Sequence, residues 1–115
     1  MRVLYHDVPE PQYSTYTSKL GAMPTATYNS YLSHYGWEHV PSTYVYANLD
    51  PIIPPPVQEF IVNTTRNRAA LSTSKASVTP FSGPLGTFSV EAGHSLMLSK
   101  TEEVAEILRQ VVEEA

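Results

Sequence analysis

The sequence predicts an α/β protein in which two parallel strands with flanking helices form part of a larger sheet. Residues 43–47 are rich in β-favouring side chains and lie between two prolines, and residues 87–90 form a second such run. Each run is followed by a helical pattern, and a strand–helix–strand–helix order is typical of parallel strands joined by a crossover. Because parallel sheets are normally covered on both faces and contain more than two strands, further strands are expected beside these two.

The bulk composition excludes several classes of function. The chain has 115 residues and a formal net charge of −4, and its seven Lys and Arg residues are scattered, so no basic surface for nucleic acid is expected. It contains no cysteine, which excludes disulfides and thiolate chemistry. No stretch reaches the roughly 18 apolar residues of a membrane span, and His6 and Asp7 interrupt any apolar leader. A cytoplasmic protein that does not bind membranes is therefore expected.

Residues 1–40 are rich in Tyr, Ser, Thr and Pro and predict two short helices. The first is expected to begin near Pro9 and to end at Gly21, since proline favours the first turn and glycine the position after the last. The second is predicted from aromatic and apolar residues at helical spacing, namely Tyr28, Tyr31, Leu32 and Tyr35. We expect these side chains to pack a helix against the sheet, although they could also line a pocket or stack against bases.

Residues 41–115 carry the remaining elements. A helix is predicted over residues 55–68, with an apolar stripe of Val57, Phe60 and Ile61, and a loop over about 69–86, where small residues alternate with Pro and Gly. A terminal helix is predicted after Ser99, because Ser99 and Glu102 have the spacing of a capping box. Its apolar face would consist of Val104, Ile107, Leu108, Val111 and Val112.

Two sequence motifs resemble those of a known protein family. The first, VPSTYVYANLDPIIPPPVQ (residues 40–58), is a strand, an acid and Ile-Pro before a helix; the second, VEAGHSLMLSKTEEVAEIL (residues 90–108), is a strand, Gly-His and a capped helix. Together they resemble the last two strand–helix units of α/β-hydrolases, in the esterase-like branch that includes plant methylesterases. The opening LYHDVPEPQYSTYTSKL is similar to the end of the lid region of that branch. The resemblance implies a lid remnant at 1–40 and a partial core at 41–115, with an unusually long connection at 69–86.

The resemblance also implies a catalytic role for two residues. Asp50 would be the acid of a catalytic triad and His94 its histidine, each following the carboxyl end of a strand. A carboxylate bound to one imidazole nitrogen fixes the tautomer and leaves the other nitrogen free to accept a serine proton. Alone, Asp50 before a proline could be a turn residue, and His94 a polar residue of a surface turn. Asp7 is a weaker candidate for the acid.

The serine nucleophile of that family has no counterpart in these 115 residues. No G-x-S-x-G motif is present, and Ser95 adjoins His94 but lacks the second glycine. We therefore expect an esterase-like serine hydrolase by descent, inactive alone, that takes a small ester-like substrate where a complete site exists. The alternatives are a non-catalytic remnant or interaction module, and one half of a split hydrolase. A second chain or another copy is expected to cover the exposed strand edge.

No cofactor and no metal are expected. His34 and His39 flank Glu38, but their spacing of five residues does not place them on one helical face, and no further ligand cluster follows. A surface pair at the edge of the lid-like region is the preferred interpretation.

Overall fold

The computed structural model describes residues 3–38, 42–73 and 86–113. The helices are α1 (Gln12–Thr17), α2 (Pro55–Thr73), α3 (Leu96–Ser99) and α4 (Thr101–Glu113). The strands are β1 (Thr43–Ala47) and β2 (Gly86–Val90), and short 3-10 turns lie at Thr25–Asn29 and Gly36–Glu38. The described residues thus combine helices with a two-stranded sheet, which is compatible with part of an α/β fold.

The two strands pair in parallel, as the sequence predicted. Thr43 lies opposite Gly86 and Ala47 lies opposite Val90. The pairing continues past both strands, because the backbone N–H of Leu49 donates to the carbonyl oxygen of Ala92 at 3.0 Å. The loops that follow the two strands therefore leave the sheet at the same edge.

A small apolar core lies between the sheet and the last helix. Its buried centre is formed by Val90, Ala92 and Ile107. Partly buried side chains pack around this centre; they are Val45, Phe88, Leu96 and Val111. The core holds the end of β2 against α4, and the histidine loop lies between them.

The terminal helix begins later than predicted, and Ser99 is not its N-cap. Ser99 belongs to the short helix α3, and the backbone leaves helical geometry at Lys100, where φ is −132° and ψ is 45°. The carbonyl oxygen of Lys100 accepts the N–H of Val104, so Lys100 occupies the position before the helix. The apolar face is also narrower than predicted, since Leu108 and Val112 are exposed while Ile107 is buried.

Helix α2 is longer than predicted and buries a different face. Residues 69–73, predicted as the start of a loop, continue the helix to Thr73, and residues 74–85 of that loop lie outside the described residues. The predicted stripe of Val57, Phe60 and Ile61 is exposed, Phe60 by 70%, whereas Gln58 and Val62 are buried one turn apart. In the described ranges no helix, α2 included, has the length and apolar character needed to cross a membrane.

The N-terminal region contains less helix than predicted. Helix α1 covers six residues, and the second predicted helix is replaced by the 3-10 turns at Thr25–Asn29 and Gly36–Glu38. Tyr31 is 98% exposed, so the predicted aromatic face does not pack against the sheet. Ser, Thr, Asn and Gly are weak helix formers, and a short helix without a buried face is only marginally stable. Whether this region is a lid remnant stays a prediction.

Candidate active site

The parallel sheet brings Asp50 and His94 together. Asp50 follows β1 by three residues and His94 follows β2 by four, and both loops leave the same edge of the sheet. The imidazole Nδ1 of His94 lies 2.9 Å from Oδ2 of Asp50, within hydrogen-bond distance. This contact between residues 44 positions apart was expected from the sequence and is confirmed.

Local backbone hydrogen bonds fix the orientation of the Asp50 carboxylate. Its Oδ1 accepts the backbone N–H groups of Ile52 at 2.8 Å and Ile53 at 3.1 Å. Such a turn is typical of aspartate just after a strand, and it leaves Oδ2 pointing at His94. One oxygen of the carboxylate thus anchors the loop while the other binds the imidazole.

The surroundings of Asp50 favour its ionised form. Burial raises the pKa of this carboxyl, but the N–H groups of Ile52 and Ile53 and the imidazole of His94 outweigh burial and hold the pKa below its usual range. Asp50 is only 7% exposed. A buried, ionised carboxylate beside a histidine is the arrangement that stabilises an imidazolium when the ring accepts a proton.

Gln58 supports the acid loop from helix α2. Its side-chain amide accepts the N–H of Ala47 at 3.0 Å and donates to the carbonyl oxygens of Ala47 at 2.8 Å and Ile53 at 2.7 Å. Because the N–H of Asn48 points to β2, that of Ala47 points to the other edge of β1. The sequence predicted that this edge would lack a partner strand. Among the described residues no strand pairs with β1 there, and Gln58 binds both backbone groups of Ala47, the last residue of β1.

His94 combines a fixed nitrogen with an accessible ring. Its side chain is 29% exposed, and among the described residues Asp50 is the only side chain that hydrogen-bonds to the ring. Ser95 follows His94 directly in the chain and is only 8% exposed. Because a nucleophile must reach both the histidine ring and the substrate, Ser95 is poorly placed for this role. The pair can therefore serve as a general base that still needs a hydroxyl to act on.

Asp7, the weaker candidate for the acid, lies near the histidine loop but does not bind His94. Its Oδ2 accepts the backbone N–H of Gly93 at 2.6 Å. Burial raises the pKa of Asp7, yet the Gly93 N–H and the Ser99 hydroxyl outweigh burial and lower the pKa. The acid position next to His94 is thus occupied by Asp50.

The remaining histidine candidates do not form a site in the described part of the chain. His34 is exposed, and its Nδ1 lies 3.1 Å from the hydroxyl of the adjacent Ser33. His39 lies outside the described residues. Within the described ranges, no group of three potential metal ligands comes together.

Two residues that contact the loops of Asp50 and His94 have no such contact among the expectations from the sequence. Gln58 lies within the first motif, and Asp7 is predicted only as a weaker candidate for the acid. A signal for Gln58 existed, because a glutamine at the core-facing position four residues before Val62 interrupts a buried face. No local signal could reveal the contact of Asp7, since its partner is 86 residues away.

Acidification is expected to destabilise the chain below about pH 4. Asp50 and Asp7 both have pKa values held below the ordinary 3.8, so the unfolded chain binds protons more readily than the folded chain in this range. Their contribution is fully present above pH 3.8 and is lost as the pH falls through the lowered values. Thermal melts from pH 7 to pH 2 should show a nearly constant Tm down to about pH 4 and then a decline.

The Asp50→Asn variant provides the control for this pH dependence. Its Tm should decline less between pH 4 and pH 2, because of these two carboxylates Asp7 alone still carries a lowered pKa in that variant. Parallel declines in the two proteins would show that Asp50 does not contribute.

Neither of two comparisons with known proteins found a match. No protein-family model matches this chain, and no curated protein matches it. A relationship to α/β-hydrolases therefore stays a prediction, based on the resemblance of the two sequence motifs.

Proposed function

We propose that Asp50 and His94 form the acid–base pair of an esterase-type serine hydrolase site. The observation that carries the proposal is the hydrogen bond of 2.9 Å between His94 Nδ1 and Asp50 Oδ2. A buried carboxylate that has its second oxygen fixed by two backbone N–H groups is a rigid acceptor. Rigid support of this kind is what a triad histidine requires.

In the proposed reaction, Asp50 keeps the proton of His94 on Nδ1, so that Nε2 is available as a base. Nε2 takes the proton of a serine hydroxyl as that hydroxyl attacks the carbonyl carbon of a small ester. The resulting imidazolium is stabilised by the Asp50 carboxylate and returns the proton to the leaving alcohol. Water then repeats the sequence on the acyl-enzyme, which restores the serine.

The serine is proposed to come from polypeptide outside these 115 residues, since no G-x-S-x-G motif occurs among them. The exposed apolar faces support an assembly larger than the described residues. Phe60 of α2 and Leu108 and Val112 of α4 are large apolar side chains left in solvent. Apolar patches on helices that flank a sheet are typical of surfaces that further elements cover.

A non-catalytic interaction module is a second candidate function. It is favoured by the exposed Tyr28, Tyr31 and Leu32, which project from an irregular segment. Aromatic side chains are enriched where proteins bind one another. In this case His94 and Asp50 would stabilise the loops without reacting, and their replacement would leave partner binding unchanged.

An activity test separates these candidates. The purified chain, incubated with p-nitrophenyl acetate and a fluorophosphonate probe, is expected to show no burst and no labelled serine. The chain is then fused behind the nucleophile-bearing half of an active α/β-hydrolase esterase. This chimera should hydrolyse the ester, and His94→Gln should remove nearly all of the activity, by analogy with the roughly 10⁶-fold loss in subtilisin.

The control in the chimera is Glu91→Gln, because Glu91 is an exposed carboxylate at the same edge of the sheet. This variant should retain full activity. A folded chimera in which His94→Gln is as active as the parent would overturn the proposal. A stoichiometric, His94-dependent burst from the chain alone would show that it carries its own nucleophile.

A further inference from the structure

The N-terminal turn is fastened to the loop that carries His94. The Asp7 carboxylate accepts the N–H of Gly93, the residue directly before His94, at 2.6 Å. Gly93 is buried, and Val8 beside Asp7 is also buried. The contact joins two segments 86 residues apart and is a charge-assisted hydrogen bond, which is stronger than one between neutral groups.

The close approach depends on the absence of a side chain at residue 93. A Cβ atom placed on Gly93 would lie 2.7 Å from Oδ1 of Asp7 and closer still to the ring of His6. A larger residue at position 93 would displace the His6 ring and the Asp7 carboxylate from these positions. Glycine therefore favours the contact by leaving space for the carboxylate, since its φ is not in the left-handed region.

The histidine loop is held from two sides, and Asp7 supplies one of them. The N–H of Leu49 donates to the carbonyl oxygen of Ala92 on the side of β1. Asp7 accepts the N–H of Gly93, which is the other end of the same Ala92–Gly93 peptide group, from the side of the N-terminal turn. The buried hydroxyl of Ser99 lies beside the same carboxylate, outside standard hydrogen-bond geometry. Between these supports the chain has little freedom to move the His94 ring relative to Asp50.

We propose that Asp7 is a positioning residue that fixes the Ala92–Gly93 peptide group, one residue before His94, and so keeps the imidazole in line with Asp50. The inference rests on the proposed function of the Asp50–His94 pair. A displacement of a catalytic group by about 1 Å can reduce a rate about 100-fold, so a support for this loop is a support for catalysis. The contact of Asp7 with Gly93 also makes the position of the His94 ring depend on the N-terminal segment.

The test uses NMR of the full 115-residue chain and needs no nucleophile. The Asp7→Ala variant should expose the Gly93 amide, and its exchange with D₂O should become about tenfold faster or more, as expected for the loss of one charge-assisted hydrogen bond. The signal of the His94 Nδ1 proton should broaden at the same time. A role confined to anchoring the N-terminus would change the Gly93 exchange but not the His94 signal.

Glu10→Gln is the matched control, because Glu10 is an exposed carboxylate of the same segment that accepts the N–H of Ser14. It should leave both signals unchanged. Asp7→Asn serves where Asp7→Ala does not fold, since the amide oxygen can still accept the Gly93 N–H. This variant should shift both signals in the same direction, by a smaller factor. A change at Gly93 without one at His94, or no change at Gly93, would overturn the inference.

Asp50→Asn distinguishes failure of this inference from failure of the proposed function. If Asp50→Asn leaves the His94 Nδ1 signal unchanged, the acid–base pair itself is wrong. If Asp50→Asn removes the signal and Asp7→Ala does not alter it, only the positioning role of Asp7 is wrong.

Discussion

Replacing Asp50 with asparagine is expected to lower kcat of the active chimera by about 10⁴-fold, the loss found when a triad aspartate becomes asparagine in a serine protease. The amide offers His94 no charge and can donate a hydrogen to the ring, which favours the wrong tautomer. The imidazolium formed during the reaction then also lacks its neighbouring carboxylate. Steady-state hydrolysis of p-nitrophenyl acetate measures the loss directly.

The structure allows this variant to separate chemistry from folding. Asparagine retains a side-chain oxygen that can accept the N–H groups of Ile52 and Ile53, so the turn after β1 should persist. In the chain alone, ¹⁵N NMR should then show His94 losing its Nδ1–H tautomer while the remaining amide signals stay in place. A loss of kcat under about tenfold in a folded variant would contradict the proposed role of Asp50.

Replacing Gln58 with alanine is expected to lower the free energy of unfolding by about 3 kcal/mol. The variant removes the partner of the buried N–H of Ala47 and of the partly buried carbonyl oxygen of Ile53. It also opens a cavity, because the Gln58 side chain is only 2% exposed. The carbonyl oxygen of Ala47 keeps the N–H of Asp50, so it is the least affected group. Urea unfolding followed by circular dichroism measures the change.

Two further variants show whether the expected loss of unfolding free energy comes from the hydrogen bonds of Gln58 or from its volume. Gln58→Met keeps most of the volume and removes the bonds, so it should still cost about 2 kcal/mol. Glu59→Ala alters the exposed neighbour on α2 and should change stability by less than about 0.5 kcal/mol. Wild-type stability in Gln58→Met would show that the amide network adds little.

The strands and the acid–histidine contact could be predicted because their signals are local. Thr43, Tyr44, Val45 and Tyr46 are β-favouring residues between prolines, and the first and second motifs place Asp50 and His94 after strand ends. Parallel pairing then follows from the order of elements. The contact between Asp50 and His94 was implied by the resemblance to α/β-hydrolases, and it agrees with the rule that carboxyl ends of adjacent parallel strands meet at one edge of the sheet.

The faces of the helices were predicted less well, for a physical reason. Periodicity identifies an apolar stripe but not the surface that covers it, so Val57 and Phe60 were assigned to a core from which they project into solvent. The prediction of Ser99 as the N-cap of the terminal helix was wrong for the same reason, because residue spacing does not show what surrounds Ser99. Ser99 has the spacing of a cap, but the chain places it in α3 with its hydroxyl next to Asp7.

The sequence by itself predicted the two strands and their parallel pairing, because these depend on β-favouring runs and on the order of elements along the chain. The pair Asp50 and His94 was implied by the resemblance of two short motifs, each of them local in the chain. Tertiary structure alone decided what supports that pair. Gln58 binds residues up to 11 positions away, and Asp7 reaches a glycine 86 positions away. The periodicity of α2 indicates only that Gln58 lies on a buried face, and the contact of Asp7 leaves no local trace at all. Both contacts arise when separate segments pack and their buried polar groups need partners.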